Sequence, residues 1–476
     1  MKVGLAALAL ALLEGASGHA PAPQYYAILS PDGRHIGHAS REVTPTAGGR
    51  EIVETHSIAV QEPDQPRTVL SERTVIREDA AGHVVSMIQH ARHGSGWTRT
   101  EAQIRPGRAD IVHRTRAEER RTSIALPAEV RFDNGEALLA NWNTATAPRL
   151  EFEAFSLDSM AVDRVVIEAL GPRDSGGRVA AIRRRFSGRD LRGVARLLIG
   201  RDGRIAEMTQ PMFGGSLTLR AADEHRAMSR PAAYSVLRGA MVRSPFRIAA
   251  AARQGRIRYR FAFRDGIDFP LPQTGEQRSS ARDGGVDLDI CAECGPGLAT
   301  DPAALADALR ATPWLQSDHR RLRAIAEPVA RLDATGIRKM ELLTARTQQH
   351  LGRIDFTGHY SALETLDRRA GDCTEAAVLL AALGRSAGIP TRVASGLVYS
   401  RQQYHGVSNA FMPHSWVIAY VDGRWRSFDA ALGPFDATHL ALTIGDGDAR
   451  SVMAAIQLAS LLDWQGMTEI RSRTGS

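Results

Sequence analysis

The chain has 476 residues, which is more than one hydrophobic core usually spans, so roughly two to four domains are expected. Hydrophobic residues make up 43% of it and charged residues 24%, a balance that is typical of a globular protein and excludes a disordered one. The net charge is +7, but nearly all of the basic residues are arginines scattered among Asp and Glu. This distribution excludes a nucleic-acid-binding stripe and predicts only a weak attraction to anionic surfaces.

The N-terminus has the pattern of a signal peptide. Lys2 precedes an apolar run from Val3 to Leu13, and Gly18-His19-Ala20 offers small residues where a signal peptidase cuts. A membrane helix needs about 20 apolar residues, so the run predicts a cleaved leader over residues 1–20 rather than an anchor. Because no later segment is long enough to cross a bilayer, we expect a periplasmic or secreted protein without a transmembrane segment after cleavage.

A long stretch of strand character follows. Alternating runs broken by turns extend from Tyr25 to Asn141, and a second series extends from Leu150 to Gln273 with hairpin signals such as Arg201-Asp202-Gly203. These patterns predict two antiparallel β-rich domains, residues 21–145 and 146–296. Neither contains a metal, nucleotide or phosphate motif, so no cofactor is expected. Modules of this kind more often position an enzyme, bind a polymer or dock a partner than catalyse a reaction.

Two of the three cysteines lie together in the segment DICAECGPG. In an exported protein, Cys291 and Cys294 are expected to form a small loop disulfide. A thiol-exchange site and half of a metal site are the alternatives, although zinc would need two further ligands that are not found nearby. If the two cysteines are paired, Cys373 is the single free thiol.

The C-terminal domain, residues 297–476, is predicted to begin with helices over 301–322 and 327–343, and then contains a buried helix with a cysteine at its start. Asp372 can cap this helix, and Glu375 three positions later completes a capping box. Residues 376–383 are apolar on all sides, so the helix should be buried. The positive end of the helix dipole favours a thiolate at Cys373. Because the two carboxylates oppose that effect, a cationic histidine is expected beside the sulfur.

A hairpin places that histidine. Residues 416–421 and 424–428 read as two strands with Asp422-Gly423 at the turn, the dipeptide most typical of a two-residue hairpin loop. In the register that this turn implies, His414 and Asp429 share a face as diagonal neighbours, roughly 5 to 8 Å apart. This spacing suits a hydrogen bond from the imidazole to the carboxylate, and it leaves the other ring nitrogen for Cys373.

Residues from about 361 to 442 resemble the core of the transglutaminase-like superfamily. The matching segments are SALETLDRRAGDCTEAAVLLAALGRSAGIPTRVASGLVY, PHSWVIAYVDGRW and FDAALGPFDATHLAL. The resemblance implies a papain-like arrangement, in which Cys373 is the nucleophile, His414 the general base and acid, and Asp429 the orienting carboxylate. Two departures are visible: Ala430 stands where a proline is usual, and the motif assigns no side-chain donor for the oxyanion.

The predicted fold class is therefore α+β, with a papain-like core of a buried helix on an antiparallel sheet, preceded by antiparallel β-rich domains. The predicted function is acyl transfer at peptide or glutamine amide bonds through a thioester, with hydrolysis slightly favoured over transamidation. The expected partner is a protein or peptide substrate of the cell envelope, with no nucleic acid and no metal. The oligomeric state does not follow from the sequence.

Two other functions stay open at this point: a non-catalytic envelope scaffold that retains the core, and a thiol-disulfide oxidoreductase based on Cys291 and Cys294. Among the aromatic residues of the core, Trp416 and Trp425 are expected to pack in the sheet. His439 is expected to be structural, with a role on the substrate side as the alternative.

Overall fold

The structure is a computed structural model, and it describes residues 22–62, 66–94, 96–132, 136–212, 215–235, 241–244, 247–355, 358–402 and 407–470. The predicted signal peptide lies outside these residues. The chain divides into two compact units, one holding the described residues up to 235 and the other those from 241 onward. Strands account for 46% and helices for 19%, so the protein is more β-rich than the α+β class alone would suggest.

The N-terminal unit is built on one antiparallel sheet of 14 strands. The strands are β1 (Gln24–Leu29), β2 (His35–Thr46), β3 (Gly49–Val60), β4 (Thr68–Asp79), β5 (Val84–His93), β6 (Gly96–Arg105), β7 (Arg108–Arg114), β8 (Glu119–Ala125), β9 (Arg149–Ser156), β10 (Ala161–Ala169), β11 (Val179–Ser187), β12 (Asp190–Ile199), β13 (Ile205–Met212) and β14 (Gly215–Ala222). Two short helices, α1 (Glu136–Ala140) and α2 (Glu224–Ala227), accompany them.

Strands that follow each other in the chain are neighbours in this sheet, except that β1 and β14 pair and join the two halves, leaving β8 and β9 at the edges. The alternation predicted from sequence is visible in β7, where Ala109, Ile111 and His113 are buried and their neighbours are not. The predicted boundary at residues 145/146 falls in the connection between the two edge strands β8 and β9, so both predicted domains contribute strands to one sheet. Hairpins on both sides of it have the same pattern, so the sequence offers no signal that distinguishes one sheet from two.

The C-terminal unit contains two smaller sheets and most of the helices. Its strands are β15 (Val242–Arg243), β16 (Arg256–Phe263), β17 (Gln277–Arg282), β18 (Gly285–Ile290), β19 (Thr391–Ser400), β20 (Ala410–Val421), β21 (Arg424–Phe428), β22 (Leu440–Gly445) and β23 (Leu462–Ile470). Its helices are α3 (Ala250–Gln254), α4 (Pro302–Asp307), α5 (Arg320–Ala330), α6 (Gly336–His350), α7 (Ala362–Arg368), α8 (Cys373–Ser386) and α9 (Ala449–Ser460), and a 3₁₀ turn covers Arg264–Gly266.

One sheet has the strand order β15-β20-β19-β22, with β21 also paired to β20, and the other has the order β17-β18-β16-β23. The second sheet differs from the predicted domain division, because β16, β17 and β18 fall within the range 146–296 but belong to the C-terminal unit. They do so because β16 pairs along its whole length with β23, which follows about 200 residues later in the chain. No local pattern can predict such a partner.

The helices before the core are shorter than predicted. The expected helix over residues 301–322 is replaced by α4 and the start of α5, with Pro313 between them, which cannot donate a helical hydrogen bond. The expected helix over residues 327–343 is interrupted, since α5 ends at Ala330 and Thr335 caps the start of α6.

Helix α8 packs against β19 and β20 on one side and against helices α5, α6 and α7 on another. All twelve residues from Thr374 to Arg385 are buried, as the apolar sequence predicts. A core cluster of Trp416, Trp425 and smaller residues of β19, β20 and β22 fills the sheet around it. Within the described residues, no helix combines the length and the apolar character needed to span a membrane.

Candidate active site

Cys373 is the first residue of α8, and the cap predicted from sequence is confirmed. The Asp372 Oδ1 atom accepts a hydrogen bond from the Thr374 N–H at 2.8 Å, and the Glu375 Oε2 atom accepts one from the Asp372 N–H at 3.0 Å. The other Glu375 oxygen accepts the Tyr360 N–H at 3.1 Å. Because these bonds fix the first turn, Cys373 is held half-exposed at the positive end of an otherwise buried helix.

The segment before Cys373 is fixed as well. Arg353 and Ala370 form a parallel bridge, in which the Gly371 N–H donates to the Arg353 carbonyl at 3.1 Å. Gly371 has no space for a side chain, since an added Cβ would lie 2.4 Å from the Cβ of Glu375. The close approach of chain and cap therefore requires glycine two positions before the sulfur.

His414 lies in the middle of β20, opposite Gly396 of β19, and is 2% exposed. The hairpin register predicted from the Asp422-Gly423 turn is confirmed, with Val421 paired to Arg424. As a result, Asp429 follows β21 directly, and its Oδ2 atom lies 2.8 Å from His414 Nε2.

Cys373 is in hydrogen-bonding contact with the His414 ring. Because His414 Nε2 faces Asp429, we assign the contact with Cys373 to His414 Nδ1. The structure thus brings together the three residues that the sequence singled out.

Asp429 is itself held from several sides. Its Oδ1 atom accepts hydrogen bonds from the backbone N–H groups of Ala431 at 2.7 Å and Leu432 at 3.2 Å. Its Oδ2 atom receives His414 and also lies 3.5 Å from His439 Nε2. Because only 3% of the residue is exposed, this carboxylate depends on protein donors rather than on water.

The charges of these groups stabilise each other. Burial alone would lower the pKa of His414, but the negative charges of Asp429 and Cys373 and their hydrogen bonds to the ring raise the pKa to about 10. Burial alone would raise the pKa of Asp429, but the His414 charge and the hydrogen bonds from both histidines hold it well below its usual range. The arrangement favours an imidazolium at His414 beside the carboxylate of Asp429.

Glu276 is another buried carboxylate near this site, and no sequence motif singles it out. Its Oε1 atom accepts the Ser427 N–H at 2.7 Å, and its Oε2 atom accepts the Ser427 hydroxyl at 3.2 Å. The same hydroxyl oxygen accepts the Trp416 Nε1–H at 3.1 Å. Burial raises the pKa of Glu276 to about 7, against the hydrogen bonds from Ser427 and the charge of His439. The two ends of this contact lie 151 positions apart.

The neighbouring aromatic residues have the packing role expected of them. Trp416 is 2% exposed and Trp425 is 3% exposed, and the Trp416 ring stacks parallel to His414 with centroids 6.2 Å apart. His439 contacts the Asp429 carboxylate and meets Trp416 edge to face at 5.2 Å.

Cys291 and Cys294 form a disulfide, and Cys373 is the free cysteine. The loop they close touches the hairpin of the site: the Cys291 N–H donates to the Glu276 carbonyl at 3.1 Å, and Glu293 pairs with Arg424 at 2.7 Å. In the part of the chain that the structure describes, no group of three or more His, Cys, Asp and Glu residues could hold a metal ion.

The geometry suits attack by sulfur on a carbonyl carbon. The Cys373 N–H belongs to the first helical turn, where no helical carbonyl accepts it, and it can serve as one donor to an oxyanion. No side-chain donor is assigned to a second position.

Comparison with known proteins gives a family for the core. Residues 323–430 match the transglutaminase-like superfamily, a range that contains Cys373, His414 and Asp429. No curated protein matches the chain.

Three solved structures resemble parts of the chain. A proposed cysteine protease from Cytophaga hutchinsonii is 18% identical, with a TM-score of 0.29, over 45% of this chain and 86% of its own. A beta-barrel-like protein from Brucella abortus is 14% identical, with a TM-score of 0.33, over 43% of this chain and 96% of its own. The periplasmic domain of TgpA from Pseudomonas aeruginosa, bound to ethylmercury, is 16% identical, with a TM-score of 0.27, over 40% of this chain and 88% of its own.

Proposed function

We propose that this chain, whose residues 323–430 match the transglutaminase-like superfamily, is a cysteine-dependent enzyme that transfers an acyl group from a peptide or glutamine amide through a thioester. The observation that supports the proposal most directly is the contact series Cys373–His414–Asp429, with 2.8 Å between His414 Nε2 and Asp429 Oδ2. A thiol, an imidazole and a carboxylate in this order are the parts of a nucleophilic acyl-transfer site.

In the first half of the reaction, the Cys373 sulfur attacks the carbonyl carbon of the amide while the proton resides on His414. The tetrahedral oxyanion accepts a hydrogen bond from the Cys373 N–H, and a donor of this kind contributes about 3 to 4 kcal/mol in comparable sites. When the C–N bond breaks, the leaving amine takes the proton from His414. The products of this half are the free amine and a thioester on Cys373.

In the second half, an acceptor resolves the thioester. Water gives a carboxylic acid, and a primary amine gives a new amide; in each case His414 takes a proton from the acceptor and the thiolate of Cys373 leaves. We favour hydrolysis slightly, because Cys373 is partly exposed and no acceptor site is evident among the described residues.

We further propose that the protein acts in the periplasm or outside the cell on a protein or peptide of the cell envelope. The Cys291–Cys294 disulfide supports an oxidising compartment, and the leader pattern in residues 1–20 supports export.

Alkylation tests for a reactive sulfur before any substrate is known. Because Cys291 and Cys294 are paired, iodoacetamide should label Cys373 alone. At pH 6 an ordinary thiol is almost entirely protonated, so a thiolate paired with His414 should react roughly tenfold or more faster in the folded protein than in the same protein unfolded in urea. Equal rates in the two states would contradict the proposal and favour a non-catalytic scaffold.

Acyl transfer is then tested by trapping. Wild type and Cys373→Ala are incubated with candidate peptides and a labelled primary amine, and the products are identified by mass spectrometry. Label joined to the peptide indicates transamidation, whereas cleavage or deamidation without label indicates hydrolysis. A thioester mass on Cys373, absent from the alanine variant, would identify the intermediate; identical products from both proteins would exclude Cys373 as the nucleophile.

A further inference from the structure

A second histidine shares the carboxylate of the proposed triad. His439 Nε2 lies 3.5 Å from Asp429 Oδ2, the same oxygen that receives His414 Nε2 at 2.8 Å. The two imidazole rings meet nearly edge to face, at 75° with centroids 6.3 Å apart. We propose that His439 is a positioning residue, which holds Asp429 ionised and oriented so that Asp429 in turn holds the imidazolium of His414. This inference rests on the proposed function.

His439 is buried inside the C-terminal unit. It is 3% exposed, and its Nδ1 atom lies 3.1 Å from the backbone carbonyl oxygen and 3.4 Å from the Oδ1 atom of Asp436. Phe435 packs against its ring at 5.2 Å, and Trp416 meets it edge to face. The Asp436 N–H also donates to Nδ1 at 3.2 Å. With contacts at both nitrogens and two aromatic rings against it, the orientation of His439 is fixed.

Asp436 is held in turn from α3. Arg253 Nη1 lies 3.1 Å from Asp436 Oδ2, and the Arg253 carbonyl accepts the Ala437 N–H at 2.7 Å. The side chains therefore form a series of alternating basic and acidic groups, buried except at its Arg253 end: His414, Asp429, His439, Asp436 and Arg253. Each charge has an oppositely charged neighbour, which is the condition under which ionised groups are stable in a protein interior.

The titratable groups that face His439 come from four different parts of the unit. Asp429 after β21, Asp436 in the following loop and Glu276 before β17 are acidic, and His414 on β20 is basic. Arg253 on α3 contacts Asp436. Burial would lower the pKa of His439, but hydrogen bonds to Asp429 and Asp436 and the charges of both raise it. His439 is thus placed to donate from Nε2 to the triad carboxylate.

This arrangement matters because a buried carboxylate with a single imidazolium partner can accept the proton of that imidazolium. A second donor on the same oxygen stabilises the charge on Asp429 and prevents the carboxylate from rotating away from His414. The expected result is a more stable ion pair between His414 and Cys373.

Two substitutions separate positioning from packing. His439→Gln can still present an amide N–H toward Asp429, whereas His439→Leu removes the donor at similar size. We expect His439→Leu to lower the alkylation rate of Cys373 at pH 6 by roughly tenfold or more, the range for losing a charged hydrogen bond, and His439→Gln to recover most of the loss. His113→Gln, which removes a buried histidine from the N-terminal unit, is the matched control and should react like wild type.

Circular dichroism shows whether each variant is folded. A folded His439→Leu that reacts like wild type, or a His439→Gln that loses as much as His439→Leu, would overturn the inference. Either result would assign His439 to packing alone.

A measurement on wild type serves if the leucine variant does not fold. In protein labelled with ¹⁵N-histidine, carbamidomethylation of Cys373 removes the thiolate charge from His414, so the imidazole signals of both His414 and His439 should shift if the two share Asp429. A shift confined to His414 would overturn the inference. This outcome is distinct from failure of the proposed function, which would show itself as an unreactive Cys373 in wild type.

Discussion

Gly396 lies directly opposite His414 across strands β19 and β20, and it has no room for a side chain: a Cβ there would lie 1.9 Å from the carbonyl oxygen of Leu440. The row that holds the histidine is thus a place where β19 and β22 approach closely. We expect Gly396→Ala to lower the free energy of unfolding by about 1 to 3 kcal/mol through overpacking and to lower Cys373 alkylation.

Gly466→Ala is the matched control for this substitution, since nothing lies within 4 Å of a Cβ at that strand position. Urea denaturation measures both variants. Equal stability of the two would contradict the tight approach.

Removing a member of the contact series should abolish turnover without unfolding the protein. Once a substrate is found, His414→Gln is expected to lower kcat by roughly 10²- to 10⁴-fold, the contribution typical of a general acid and base. Asp429→Asn should also lower kcat, because the asparagine amide favours the wrong tautomer of the His414 ring. The exposed His225→Gln should leave kcat unchanged. A His414→Gln enzyme with wild-type kcat would remove the histidine from the mechanism.

The pH profile should separate acid catalysis from thiolate reactivity. Since the pKa of His414 is raised to about 10, the ring keeps its proton through neutral and mildly alkaline pH and loses it as the pH approaches 10. Amide turnover needs this proton for the leaving amine, so turnover should fall there. Alkylation of the thiolate needs no proton and should not fall. Parallel declines of both rates, measured on protein still folded by circular dichroism, would argue against the assignment.

Glu276 should make the protein less stable as the pH rises from acid to neutral. Its pKa is raised from 4.5 to about 7, so the folded state favours the protonated form. The sign follows from linkage: the stabilisation is fully present below about pH 4.5 and is lost as the pH rises through 7. Glu276→Gln should remove this component, worth roughly 3 kcal/mol at about 1.4 kcal/mol per pKa unit.

Urea denaturation of wild type and Glu276→Gln between pH 4.5 and 8 checks this difference. The wild-type stability should decline relative to the variant over that range. A constant difference between the two would show that Glu276 ionises as freely in the folded protein as in the unfolded one.

Removal of the Cys291–Cys294 disulfide tests the alternative that the protein is a thiol-disulfide oxidoreductase. Replacing Cys291 and Cys294 by serine opens a short loop, and the expected loss is about 2 kcal/mol on the chain-entropy account. Alkylation and amide turnover at Cys373 should persist, because neither sulfur of the pair belongs to the contact series. Loss of all activity in a folded double variant would instead support thiol-disulfide chemistry. Thermal unfolding and the alkylation rate are the two measurements.

The parts of the site that depend on local chemistry could be predicted from the sequence. The capping box of Asp372 and Glu375 involves residues three positions apart, and the Asp422-Gly423 turn fixes the register that brings Asp429 to His414. Both turn residues have positive φ, 50° and 82°, which is the conformation that such a dipeptide favours. Short-range hydrogen bonds determine these features, so they are visible in a single sequence.

The contacts that support the site could not be predicted in the same way. Glu276 reaches Ser427 across 151 positions and Arg253 reaches Asp436 across 183, and no periodicity records such partners. The fold has the same limit, because β1 pairs with β14 across the whole N-terminal unit. The sequence predicts a structural role for His439, but its contact with Asp429 depends on the path of the loop between the two residues.

The pairing of β16 with β23 sets the order in which the C-terminal unit can assemble. During synthesis, the segments bearing the sulfur, the imidazole and the carboxylate all emerge before residues 462–470, the edge strand that completes the four-stranded sheet. Closing so long a loop is slow relative to forming hairpins. The four-stranded sheet can therefore be completed only after the segments that carry the contact series have been made.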